Sequence, residues 1–253
     1  MARFTFHGGM TMLVERNDGY RMLFDPYITA NPSAAVGIDQ LCGVDLIVVS
    51  HAAFDHFGDT AEILRRSGAR VMCGMDSWDL LRQKYPDISP DRRIGTAYGD
   101  KRTFGKTVIR TVQAWHGTGT EHHGVVHAAD PYGFIVMIEP GVTYYHTGDT
   151  CLFSDMKMLR DLYAPNVMTV GISKVFKQYS CEMTPREAAI AVAWCGADVA
   201  VPCHYAPGDP AYDEFMELVK VFAPRAVIRP QINVPFEYVP FKVIDGAEKE
   251  DRS

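Results

Sequence analysis

The 253-residue chain has no apolar run that approaches the roughly 18 residues needed to cross a bilayer. Its opening, Met1 to His7, goes straight into alternating strand-like residues and lacks the charged-then-apolar order of a signal peptide, so the expected compartment is the cytoplasm and no membrane contact is expected. There is no C-x-x-C pair: Cys42, Cys73, Cys151, Cys181, Cys195 and Cys203 are scattered, which fits reduced thiols without disulfides. Basic charge is scarce as well, with Lys and Arg totalling 25 against 31 Asp and Glu, a formal net charge of -6. That balance argues against a broad surface for nucleic acid or anionic lipid. No linker rich in Pro, Gly or Ser divides the chain, and the one biased tract is a polar tail over 246–253. A single domain over residues 1–245 is therefore the simplest organisation.

Apolar residues make up 47% of the chain and charged residues 22%, enough for a sizeable core. The segments Met10–Arg16 and Tyr20–Phe24 flank Asn17-Asp18-Gly19 and predict a β-hairpin. A buried strand over 45–49 is followed by Asp59-Thr60-Ala61-Glu62, which reads as a helix cap, then by a short helix ending near Gly68 and a strand at 70–73. The later half repeats the arrangement: a strand at 142–145, a helix candidate from Ser154 to Tyr163, and a strand at 167–170. The clearest helix is Thr184 to Gly196, with a Thr cap, Pro at the first position and Glu at the third, leading into a strand at 199–201. Strands interspersed with helices suggest an α/β class with two sheets packed together and helices outside.

Each strand of a particular set runs into residues able to bind metal. The strand at 45–49 delivers His51, Asp55 and His56; Thr107 to Trp115 delivers His116; 142–145 delivers Asp149; and 199–201 delivers His204. Imidazole and carboxylate suit Zn²⁺, Mn²⁺ or Fe²⁺, and loops at strand ends are where a rigid scaffold aims side chains at one point. Taken singly, each is as well explained by a hydrogen-bonded structural role. Their joint occurrence, each after its own strand, is the informative feature.

With these residues the sequence resembles the metallo-β-lactamase superfamily, and within it the metal-dependent hydrolases related to ascorbate-6-phosphate lactonase. Phe6-His7-Gly8-Gly9 looks like that branch's opening turn, and Phe24-Asp25-Pro26 like its Asp-Pro segment. Tyr145-His146-Thr147-Gly148-Asp149-Thr150 and Pro202-Cys203-His204-Tyr205 are similar to two further runs. The resemblance implies an αββα sandwich of two mixed sheets flanked by helices, one or two divalent metal ions (Zn, Mn or Fe), and hydrolysis by a metal-bound hydroxide of a small-molecule lactone, ester or amide. It also departs from the superfamily's His-x-His-x-Asp-His signature, because Ala53 stands where the second His belongs. One implied metal position thus keeps His51, His116 and Asp149, while the other keeps Asp55, His56, Asp149 and His204.

By the same resemblance Asp55 orients the metal-bound water, and His7 is a proton donor or a partner of the ligands; its plain alternative is a strand-end His bonded to backbone. His122, His123 and His127, in the polar loop after His116, are candidates to replace the missing imidazole, and His122 and His123 also to face the substrate. Tyr205 is a candidate pocket residue, and Lys174 and Lys177 are candidates to bind a substrate carboxylate or phosphate. Cys151 reads as a buried spectator thiol or an approach to the metal. Two other functions stay open: a phosphodiesterase of the same fold, and a silent relative that binds metal or ligand without turnover. A small molecule is the expected partner, and the sequence leaves a homo-oligomer open.

Overall fold

The computed structural model describes residues 1–122, 125–128, 130–173, 182–229, 231–240 and 242–245, so the tail over 246–253 lies outside the described residues. The chain divides into two compact units, one of Met1–Ala97, Thr118–Asp130 and Gln231–Ser253 and the other of Tyr98–Gly117 and Pro131–Pro230.

The first unit is built on an eight-stranded sheet, ordered Lys242–Asp245, Phe236–Val239, Ala2–Phe6, Met12–Arg16, Arg21–Phe24, Leu46–Val48, Arg70–Cys73 and Arg93–Gly95. The expected hairpin is present: Met12–Arg16 pairs antiparallel with Arg21–Phe24, and Arg16 N donates to Tyr20 O at 3.0 Å across the turn. From Arg21–Phe24 onward the strands run parallel. Helices Thr60–Arg66 and Met75–Lys84 cover one face, where Ile63, Leu64, Trp78, Leu80 and Leu81 pack with Ile47, Val49 and Val71. Each such side chain contributes roughly 1.5–3 kcal/mol relative to exposure. Leu46 and Val48 on the opposite face are also fully buried, so this strand reads as a continuous apolar run rather than an alternating one.

Two expectations are corrected here. The helix after Asp59 starts where expected, but Asp59 does not cap it. Its carboxylate accepts instead from Ile28 N at 2.6 Å, Thr29 N at 3.0 Å and Thr29 Oγ1 at 2.5 Å, three donors of a neighbouring loop that outweigh one helix N–H. The stretch after His116, expected as a loop, contains the paired antiparallel strands Thr120–His122 and Val125–His127.

The second unit is a seven-stranded sheet ordered Val227–Ile228, Val199–Cys203, Val167–Gly171, Val142–His146, Tyr132–Glu139, Thr107–Gln113 and Lys101–Phe104. Val142–His146, Val167–Gly171, Val199–Cys203 and Val227–Ile228 are parallel, and Thr107–Gln113 runs the same way because two antiparallel pairings separate it from Val142–His146. Helices Met156–Tyr163, Pro185–Cys195 and Pro210–Phe222 bury Met156, Leu159, Ala188, Val192, Phe215 and Val219 against it.

The cap read from the sequence forms in full: Thr184 Oγ1 accepts from Glu187 N at 3.3 Å, and Glu187 Oε2 accepts from Thr184 N at 2.9 Å. Thr184→Ala is expected to lower stability by about 1 kcal/mol, read as a fall of roughly 2–4 °C in a thermal melt. Among the described residues no helix is long and apolar enough to cross a membrane.

Candidate metal centre

In the first unit the turns that carry the candidate ligands follow the carboxyl ends of two parallel strands, the edge where open α/β sheets place their sites. Leu46–Val48 runs into Ser50 and His51, and Ala53 begins a single helical turn, Phe54–Phe57, that carries Asp55 and His56. The turn brings the two rings together, with His51 and His56 centroids 4.2 Å apart. Asp25 follows the strand Arg21–Phe24 and holds a left-handed backbone (φ 44°), which Asp tolerates better than most residues.

The fully buried Asp25 carboxylate is the anchor of this set. Oδ1 accepts from Ser50 N at 2.7 Å, and Oδ2 accepts from Ser50 Oγ at 2.7 Å and from His56 Nδ1 at 2.8 Å. A carboxylate accepts only, so the His56 proton sits on Nδ1 and the lone pair on Nε2. The Ser50 hydroxyl has its hydrogen committed to Asp25, so Oγ accepts from His51 Nδ1 at 3.0 Å and fixes the same tautomer there. This is the arrangement that prepares an imidazole to ligate metal through Nε2.

His7 lies in the same unit. Its Nδ1 is 2.8 Å from Asn233 Oδ1, while Asn233 Nδ2 donates to Ser33 O at 3.0 Å, so the amide presents its oxygen and His7 Nδ1 is the donor. Burial pushes the imidazole below its ordinary pKa, with the Asn233 bond opposing. His7 is thus a neutral ring with its lone pair on Nε2, arranged to accept a proton rather than give one, and its partner is a side chain rather than backbone.

The second unit gathers the other donors at the carboxyl ends of its own strands. His116 follows Thr107–Gln113, Asp149 follows Val142–His146, and His204 follows Val199–Cys203. Gly148 adopts φ +58° in the turn before Asp149, and the turn is tied to the His116 segment by Trp115 N donating to Thr150 Oγ1 at 2.8 Å and Cys151 N to Trp115 O at 2.9 Å. His204 itself takes a left-handed φ of 58°.

Asp149 Oδ2 lies 3.4 Å from His204 Nε2 and 3.8 Å from His116 Nε2. These separations exceed the usual 2.7–3.2 Å of a direct hydrogen bond. The His204 separation equals the edge of a tetrahedron built on bonds near 2.1 Å, about 3.4 Å, and the His116 separation is somewhat longer. The donor set and its spacing fit a divalent ion.

Sequence reasoning missed the parts played by Asp25 and Ser50, which stand beside the candidate ligands His51 and His56, and by Glu182. The Glu182 carboxylate reaches within 4.0 Å of His204 Nδ1, and His116, Asp149 and Glu182 offer ligand atoms all within 4.8 Å of one another. Burial raises the Glu182 pKa, and the nearby Asp149 charge raises it further. Tyr205 is half-buried and its ring stacks on Tyr212 at 5.5 Å. Cys151 is exposed, not the buried spectator expected, because it lies in the loop after Val142–His146 rather than in the strand. The buried thiols of Cys73 and Cys195 are pushed up to about 12, which makes them inert. Lys174, Lys177 and His123 lie outside the described residues, and of His122 the backbone alone is described.

Comparison with known proteins places this architecture. Residues 20–205 match the family model of the β-lactamase superfamily domain. The chain is 36% identical over 233 residues to a UPF0173 metal-dependent hydrolase of Thermococcus kodakarensis, covering 91% of this chain and 97% of that protein. It is 34% identical to one of Pyrococcus horikoshii with the same coverage. Among solved structures it resembles Igni18, a metallo hydrolase of Ignicoccus hospitalis, with a TM-score of 0.75, 28% identity, and coverage of 94% of this chain and 99% of that one. The α/β fold with two mixed sheets and flanking helices is therefore the metallo-β-lactamase fold. Within that superfamily the chain belongs to the UPF0173 metal-dependent hydrolases.

Proposed function

We propose that the protein hydrolyses a small-molecule lactone, ester or amide at a divalent-metal centre of zinc, manganese or iron. The superfamily signature assigns His51, Asp55, His56, His116, Asp149 and His204 to one centre within a single domain over 1–245, and we read them so here. The observation that carries this is the locking of His51 and His56 in one tautomer by Ser50 and Asp25, a preparation that a merely structural pair of buried imidazoles does not need. A divalent ion held by these residues acidifies water and polarises the electrophile, so no serine or cysteine nucleophile is required.

The chain's own groups supply the rest. Asp55, buried on its helical turn, orients the attacking water. His7 accepts a proton at Nε2. Tyr205 lines the substrate side as a neutral phenol, its pKa raised by burial. Lys174, Lys177, His122 and His123 remain in the reading as substrate contacts.

The test is removal and return of metal. Dialysis against a chelator is expected to abolish hydrolysis of a panel of lactones, esters and amides and to lower the melting temperature. Adding back ion at 100 times its Kd should restore about 2.7 kcal/mol. Phosphodiesters in the same panel discriminate the phosphodiesterase. A protein that takes up metal and turns over nothing in the panel is the silent relative.

A further inference from the structure

The geometry points to Glu182 as a metal ligand that joins His116 and Asp149, at the position that the superfamily signature, with Ala53 for its second His, leaves one ligand short. This rests on the reading of a metal centre given above, and extends it to a residue outside the superfamily signature. The position that lost its ligand keeps His116 and Asp149, and these are the two residues with which Glu182 forms a set whose donor atoms all lie within 4.8 Å. The three come from separate parts of the chain: the end of Thr107–Gln113, the turn after Val142–His146, and the residue two before the Thr184 cap of Pro185–Cys195.

Several features favour ligation over a surface charge. The Glu182 side chain is 9% exposed, and its carboxylate lies 4.0 Å from His204 Nδ1, too far for a hydrogen bond. Gly171 lies beside both residues: a Cβ built there would be in ordinary contact, 3.8 Å, with the Cβ atoms of Glu182 and His204, which places the two side chains next to one another at the end of the strand Val167–Gly171. Two carboxylates in a buried cluster with two imidazoles repel one another unless a cation lies among them. Replacing a neutral imidazole by a carboxylate also shifts the site toward harder ions such as manganese.

The competing role is orientation of His204 through Nδ1. Glu182→Gln separates the two, because the amide keeps an oxygen to accept from His204 Nδ1 but loses the anionic ligand. Metal content after dialysis, affinity in a competition titration, and the visible absorption of cobalt-substituted protein are measured for wild type, Glu182→Gln, Glu182→Ala, and Glu182→Ala with Ala53→His.

Wild type is expected to hold two ions. Both single variants should hold about one and bind the second at least about 100-fold more weakly, with a changed cobalt spectrum. Ala53→His should return the Glu182→Ala protein to two ions. Equal stoichiometry, affinity and spectrum in wild type and Glu182→Gln overturn the assignment while leaving the metal centre standing. Wild-type protein that binds no zinc, manganese or cobalt overturns the centre itself. Should Glu182→Ala fail to fold, the near-isosteric Glu182→Gln carries the result alone.

Discussion

Asp149→Asn is expected to remove hydrolysis and to weaken metal binding by at least about 100-fold, the upper end of what losing a mere supporting partner of a ligand costs. The carboxylate is 3% exposed and shares its Oδ2 between two imidazoles at 3.4 and 3.8 Å, so an amide of the same shape removes the charge without opening a cavity. The metal-free protein should respond in the opposite direction. A buried carboxylate with no ion beside it is a desolvation burden, and its neutralisation leaves the apo melt unchanged or raises it. Metal titration beside thermal melts in chelator measures both. Unaltered metal affinity in the variant would remove Asp149 from the ligand set, and a collapsed apo fold would make it a structural residue instead.

The candidate ligands His51, Asp55, His56, His116, Asp149 and His204 stand out in the sequence as a set because each lies soon after a strand-forming run, and strand ends are visible in a single chain. Thr184 to Gly196 was equally plain, since a cap, a Pro, a Glu and a Gly fall at their helical positions and the structure uses the cap.

The missed elements have different reasons. The helix Met75–Lys84 begins at Gly74 with no side-chain cap, so no start signal marks it. Pro210–Phe222 did carry one, Asp209 accepting from Ala211 N with Pro next, and that signal would have found it. Asp59 shows the limit of local reading: its cap pattern was correct in form, yet a loop thirty residues away in sequence supplied better donors. Glu182 and Ser50 lie beyond any local pattern, because what makes them notable is which side chains the tertiary fold brings against them.

Asp25 is visible in the sequence only as part of the Asp-Pro segment, with no sign of its partners, and it is the one whose loss should be felt most in stability. Its carboxylate satisfies Ser50 N, Ser50 Oγ and His56 Nδ1 together in a fully buried place, so Asp25→Ala strands three donors at once. Removing the acceptor from such a buried network costs about 3–5 kcal/mol. The left-handed backbone at this residue adds to the penalty, since Ala tolerates φ 44° less well than Asp.

Asp25→Asn isolates the effect on the site, because Asn accepts the same backbone conformation and keeps one oxygen for Ser50. It cannot hold the proton of His56 on Nδ1 as a carboxylate does, so metal affinity should fall roughly 10–100-fold while the melting temperature falls less than in Asp25→Ala. Denaturant melts of the metal-free proteins, set beside zinc and manganese titrations, separate the two losses. If Asp25→Asn binds metal as tightly as wild type, the carboxylate supports the fold alone and the tautomer of His56 is fixed by Ser50.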